Sequence, residues 1–141
     1  MDRFVLLLHL LGSIGMGFYL LLPFLVMRMQ GMTAGGKAGL AGGLAAANRW
    51  GQILLLVQLL TGVFLAARDG VSTPWIVVVI VVLVLIGAVT GMLGKPLRQL
   101  RTENQTAAAV QEQLRKVQLF GWIAFALFLV MILLMYYPEW L

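Results

Sequence analysis

The chain has 141 residues, of which 62% are hydrophobic and 11% are charged, and its formal net charge is +5. A soluble domain carries about 25% charged and about 45–50% apolar residues, so this composition indicates an apolar solvent. The absence of cysteine excludes disulfides, thiol catalysis, iron–sulfur clusters and cysteine-bound zinc. The single histidine, His9, cannot form a two-histidine metal site within one chain.

Four apolar segments predict an all-α fold, a bundle of four transmembrane helices in a single membrane domain spanning residues 1–141. The segments lie at residues 4–27, 51–67, 75–93 and 117–137. Each is long enough, or nearly so, to cross a hydrocarbon core of about 30 Å. A helix is required because lipid offers no partner for open backbone amides. The first segment exceeds the 7–15 apolar residues of a signal-peptide core, so we interpret it as a retained span.

Two prolines and two polar stretches modify this pattern. Pro23 predicts a kink near the inner end of the first span, and Pro96 predicts a break or kink near the end of the third. An alanine-rich stretch predicts a helix that begins at about Gly39 and leads into the second span. Residues 98–116 predict a solvated helix that continues into the fourth span.

The distribution of charge predicts the orientation in the membrane. Segments 28–50 and 94–116 carry eight of the ten basic residues: Arg28, Lys37, Arg49, Lys95, Arg98, Arg101, Arg115 and Lys116. The positive-inside rule places both segments in the cytoplasm and both termini outside, in a bacterial cytoplasmic membrane. Interfacial aromatic belts are then expected at the outer side for Trp75, Tyr136, Tyr137 and Trp140, and at the inner side for Trp50. The basic segments lack an aromatic stacking surface, so the lipid bilayer is the expected partner and nucleic acid is not.

A polar cluster is predicted around His9, within an otherwise apolar span. His9, Ser13 and Met16 share one helix face. Gln58 and Thr61 of the second span fall near the same depth and form the expected polar core. Polar residues in spans are costly and usually face the bundle interior.

Two interpretations of this cluster stay open. In the functional interpretation His9 is a proton-handling group or an axial ligand of haem b, and Met16 or Met131 is then the other haem ligand. In the second interpretation His9 is an imidazole hydrogen-bonded to a neighbouring helix. The methionines serve equally well as packing residues in the second interpretation.

Small residues predict close helix packing in the first and third spans. They are Gly12, Ser13, Gly15 and Gly17 in the first span and the GxxxG pair Gly87 and Gly91 in the third. This spacing brings two backbones close together, either within one chain or between two copies in a homodimer.

Three stretches resemble a family of uncharacterised bacterial four-helix integral membrane proteins: LLHLLGSIGMGFYLLLPFLVMR, GMLGKPLRQLR and LMYYPEW. More distantly, His9 followed by GFYLLLP is similar to the first helix of HemJ-type protoporphyrinogen oxidases and of CopD-like copper proteins. The HemJ resemblance implies that His9 binds haem.

No nucleotide-binding loop, nucleophile–base pair or zinc motif occurs, so no catalytic residue and no metal site is predicted. The expected role is a non-enzymatic accessory or structural subunit, alone or in a larger membrane complex. The alternatives are a haem-binding or porphyrin-linked redox protein that uses His9, and a small transporter or channel component.

Overall fold

A computed structural model describes residues 2–101 and 106–140, with the side chain of Trp140 outside the described set. Five α-helices follow in chain order: α1 Asp2–Met16, α2 Leu22–Met29, α3 Ala34–Asp69, α4 Thr73–Leu100 and α5 Ala107–Tyr136. Short 3-10 turns occupy Gly17–Leu20 and Pro138–Trp140. Within the described residues α1 and α2 together form one membrane-length segment, and α3, α4 and α5 form three more. The predicted all-α four-span bundle is confirmed.

The helix ends follow local chemistry. Thr33 and Thr106 are N-caps whose hydroxyls accept from the amides of Gly36 and Ala109, each at 3.2 Å. Gly70 ends α3 with φ of 67°, a left-handed conformation that glycine adopts without strain. The Gly70 cap therefore ends the second span and lets the chain turn back into the third.

The first span is interrupted one turn before its proline. The 3-10 turn Gly17–Leu20 separates α1 from α2, and Pro23 occupies the first turn of α2. A proline ring clashes with the carbonyl four residues earlier, which here belongs to Tyr19, so regular helix is lost within that preceding turn. The predicted disturbance of this span therefore appears as a 3-10 turn upstream of Pro23.

Of the break or kink predicted at Pro96, the break does not occur, because the helix does not end there. Helix α4 continues through Pro96 to Leu100. Pro96 lies near the end of the helix, so its missing amide removes one hydrogen bond and leaves the last turn intact. Burial of Leu97 and Leu100 against the neighbouring helices stabilises this extension.

The predicted helix leading into the second span begins at Ala34, earlier than expected, and α3 contains 36 residues. At about 1.5 Å per residue it is about 54 Å long, well beyond a hydrocarbon core of about 30 Å. Its first part therefore extends past the membrane at the end rich in basic residues. The solvated helix expected over 98–116 divides between the end of α4 and the start of α5, and residues 102–105 lie outside the described set.

We call the end of the bundle that carries the basic segments 28–50 and 94–116 the inner end, and the opposite end the outer end. The inner end is the most tightly packed part of the core. In chain order α1 packs mainly on α3, α3 on α4 and α4 on α5, while α2 closes the ring by packing on α5. Side chains with at most 4% exposure gather at this end: Val26, Met29, Ala41, Leu44, Leu93, Leu97, Leu100, Leu114 and Val117. At the outer end α1 packs on α3 and α4 packs on α5, and the short connection through Gly70 joins α3 to α4.

Candidate functional site

His9 of α1 is held by Thr61 of α3. Its Nδ1 atom lies 2.8 Å from the Thr61 hydroxyl oxygen, which donates to the Val57 carbonyl at 2.7 Å. A carbonyl only accepts, so with the threonine proton on the Val57 carbonyl the neutral imidazole donates from Nδ1. This assignment of the tautomer rests on the pattern of distances and leaves the lone pair on Nε2.

Gln58 ties α3 to the backbone of α1. Its amide nitrogen donates to the His9 carbonyl at 2.8 Å and to the Ser13 hydroxyl at 2.6 Å, while Ser13 donates to the His9 carbonyl at 2.9 Å. Because the His9 carbonyl only accepts, the nitrogen side of the amide must face α1, which fixes the amide orientation.

The other end of this amide is an unpartnered acceptor. Gln58 is 6% exposed, and its Oε1 atom is buried with no hydrogen-bond partner in the part of the chain that the structure describes. A buried polar atom without a partner costs about 1–3 kcal/mol. The site therefore holds two acceptors, Gln58 Oε1 and His9 Nε2, that the described residues do not satisfy.

A cavity of about 580 Å³ lies beside these groups, between α1, α3, α4 and α5. Volumes of about 300–1,000 Å³ are typical of sites for small molecules. Its walls are mainly apolar and include Leu59, Trp75, Val79, Leu83, Phe128 and Met131. Apart from His9, Asp69 at the end of α3 is the only acidic or basic side chain among the described lining residues. The arrangement suits a mainly apolar molecule with few polar groups.

Among the described residues α1 and α5 make little direct contact, and we interpret the space between them as the open side of the cavity. At the inner end α2 and the 3-10 turn pack against α5, whereas α1 packs mainly on α3. Lining residues on both sides of this gap are also exposed on the bundle surface, including Leu6 of α1 and Ile132 of α5. A molecule dissolved in the lipid would therefore reach the cavity sideways.

The predicted haem residues all line this cavity, but they do not form equivalent pairs. Axial ligands of haem approach from opposite faces of the ring. Met16 lies on the same helix face as His9, about 10 Å along the axis, so it cannot oppose the imidazole. Met131, on α5, lines the facing wall. A ligating imidazole usually has its other ring nitrogen held by a hydrogen bond, as Nδ1 of His9 is by Thr61, so His9 and Met131 are the pair that could hold a haem.

The predicted packing glycines mostly face α3. Added Cβ atoms would lie 3.0 Å from Gln58 Nε2 at Gly12, 2.5 Å from Leu54 Cδ1 at Gly15, 3.4 Å from Leu55 Cδ2 at Gly87 and 3.6 Å from Gln52 Nε2 at Gly91. These approaches are contacts within one chain. At Gly17 an added Cβ would meet no atom within 4 Å, so the structure gives this residue no close approach.

Trp75 is not part of an exposed aromatic belt. It is buried, and its indole nitrogen donates to the Leu134 carbonyl at 2.9 Å, joining α4 to α5 at one wall of the cavity. Tyr136, 73% exposed, and Trp50, 67% exposed, do lie on the surface.

A second polar network was missed by sequence reasoning. The buried Tyr19 hydroxyl donates to Asn48 Oδ1 at 2.8 Å, and Asn48 Nδ2 donates to the Thr90 carbonyl at 2.9 Å. This network links the 3-10 turn, α3 and α4. Asn48 lies in the basic segment 28–50, where a solvated side chain is expected. The one sequence signal for its burial is that it precedes Gly51 by three residues, which places both on one helix face.

Comparison with known proteins adds no assignment: no family model, no curated protein and no solved structure matches the chain. Among the described residues, no group of three or more His, Cys, Asp or Glu side chains is placed to hold a metal ion.

Proposed function

We propose that this chain is a non-enzymatic, multi-pass membrane protein that binds a small, mainly apolar molecule in the cavity between α1 and α5. The observation that carries the proposal is the coincidence of an open cavity of about 580 Å³ with the polar cluster of His9, Ser13 and Gln58. A protein that served only as a structural subunit would gain packing energy by filling this space.

The proposal includes an orientation. The cavity lies at the end of the bundle opposite the basic segments, which under the positive-inside rule is the outer half of a bacterial cytoplasmic membrane. Both termini then face outside, as does the exposed ion pair between Arg68 and Asp2, 2.9 Å long, that joins α3 to α1.

The packing of the inner half favours binding over conduction. Beyond the cavity, this half of the bundle is filled by fully buried side chains such as Val26, Leu93 and Val117, each 0% exposed. A transporter or channel component would require this closed half to separate. A pocket that exchanges its occupant with the lipid requires no such movement.

The experiment places a large side chain on one wall of the cavity so that it fills the space. Ala66 lines it, whereas the adjacent Ala67 is exposed on the same helix. We expect the neutral dye Nile red to bind saturably to the wild-type protein in nanodiscs and to the Ala67→Trp control, but not to Ala66→Trp. Empty nanodiscs give the baseline, and helical content verifies folding. Equal binding by the two folded variants would contradict the proposal.

Haem is the second candidate occupant, supported by the open Nε2 of His9 and by Met131 on the facing wall. Absorption spectra of oxidised and reduced protein, produced with ample haem, test this candidate against His9→Ala. A Soret band that is lost in the variant would identify haem. A flat spectrum in the wild-type protein would leave His9 as an interhelical hydrogen-bond partner.

A further inference from the structure

We propose that the occupant of the cavity is a neutral aromatic alcohol, a phenol or hydroquinone carrying a hydrocarbon tail, whose hydroxyl donates to Gln58 Oε1. This inference rests on the proposed binding function and specifies its ligand. It starts from the buried amide oxygen that no described residue satisfies.

The hydrogen-bond network sets the polarity of the ligand. Gln58 Oε1 can only accept, and the neutral His9 ring, with its proton on Nδ1, offers only a lone pair at Nε2. A complementary ligand must therefore bring donors. Ethers and esters, which have acceptors alone, cannot satisfy either atom. A hydroquinone, with two hydroxyls, offers one donor for each acceptor.

The charge of the lining argues for a neutral ligand. Apart from the neutral His9, Asp69 at the end of α3 is the only acidic or basic side chain among the described lining residues. A carboxylate or phosphate at this mouth would meet a like charge and lose its water without gaining a counter-ion. Fatty acids and anionic lipid headgroups therefore fit this cavity less well than an alcohol does.

The side chains of the wall argue for an aromatic ring. Phe128 and Trp75 supply aromatic faces and edges, and Met16, Met131 and Met135 place thioethers around the same space. Aromatic pairs and sulfur–aromatic contacts each add about 0.3–1.5 kcal/mol beyond simple burial. The lateral opening between α1 and α5 leaves room for a hydrocarbon tail to extend into the lipid.

The test compares two ligands that differ in one donor. 4-Hexylphenol has the hydroxyl, and 4-hexylanisole replaces it by a methyl ether. We measure the displacement of Nile red from the wild-type protein in nanodiscs, after correcting each ligand for its partition into empty nanodiscs. One buried hydrogen bond predicts that the phenol competes roughly tenfold better than the ether.

A matched pair of variants identifies the acceptor. Gln58→Met removes the oxygen and keeps the length of the side chain, and Gln52→Met makes the same change on α3 away from the cavity. We expect the preference for the phenol to fall to within about twofold in Gln58→Met and to persist in Gln52→Met. Should Gln58→Met fail to fold, Gln58→Leu replaces it.

The outcomes separate this inference from the function on which it rests. Equal competition by phenol and ether in the wild-type protein, or a preference that survives without Gln58, overturns the inference. If in that case neither ligand binds to Ala66→Trp, the cavity remains a binding site for apolar molecules. If neither ligand displaces the dye from the wild-type protein, or Ala66→Trp behaves like Ala67→Trp, the proposed function itself fails.

Discussion

The buried hydrogen bond between Tyr19 and Asn48 gives a quantitative test of how the first span is held. Tyr19 is 1% exposed, and its hydroxyl donates to Asn48 Oδ1 at 2.8 Å. Tyr19→Phe deletes the donor, keeps the ring and leaves a buried amide oxygen without that partner. Interhelical hydrogen bonds in membranes contribute about 0.6–2 kcal/mol, and an unsatisfied buried acceptor costs about 1–3 kcal/mol. We therefore expect the free energy of unfolding to fall by about 1–2 kcal/mol.

The assay is reversible unfolding by sodium dodecyl sulfate in mixed micelles, followed by far-ultraviolet circular dichroism. Tyr136→Phe is the matched control, because Tyr136 is 73% exposed, and its free energy of unfolding should not change. Asn48→Ala completes a double-mutant cycle, in which we expect a coupling of about 0.5–2 kcal/mol. A loss in Tyr19→Phe no larger than in the control, or strictly additive variants, would refute the reasoning.

Two further predictions concern packing and orientation. Gly51→Ala places a Cβ atom 2.5 Å from the buried Tyr19 hydroxyl and should lower the free energy of unfolding by about 1–3 kcal/mol in the same assay. Gly43→Ala, whose added Cβ meets no atom within 4 Å, should raise the free energy of unfolding by up to about 1 kcal/mol. The proposed orientation predicts that a membrane-impermeant maleimide labels Ser72→Cys in intact cells and labels Gln111→Cys only after lysis; the chain has no native cysteine, and the reverse pattern would invert the topology.

The sequence predicted the four spans because lipid leaves the backbone one solution, a helix, for each long apolar segment. It placed the start of α3 at about Gly39, five residues after the observed start at Ala34. Residues 34–50 mix glycine, alanine and charge, a pattern shared by flexible linkers and solvated helices. Ala41 and Leu44 are buried in the core with residues that lie far away in the sequence, and local sequence does not reveal such packing. At Pro96 the sequence left a break and a kink open, and the helix continues there despite one lost hydrogen bond.

The candidate site was predictable in its members and not in its chemistry. Helical spacing placed His9, Ser13 and Met16 on one face, and matching depths brought Gln58 near them. No spacing rule reveals that the threonine proton is used by a carbonyl, or that the amide nitrogen of Gln58 is committed to α1. Those two facts give His9 and Gln58 their open acceptors. They follow only from atomic positions.

The two ends of the bundle differ in what holds them. At the inner end α2 packs on α5, and the network around Asn48 joins the 3-10 turn to α3 and α4. At the outer end α1 is fastened to α3 by the Gln58 and Thr61 hydrogen bonds, and α4 is fastened to α5 by Trp75. Between these two fastened pairs lies the cavity. The proposed ligand would enter at the gap between α1 and α5, so the inner end, where α2 packs on α5, need not separate.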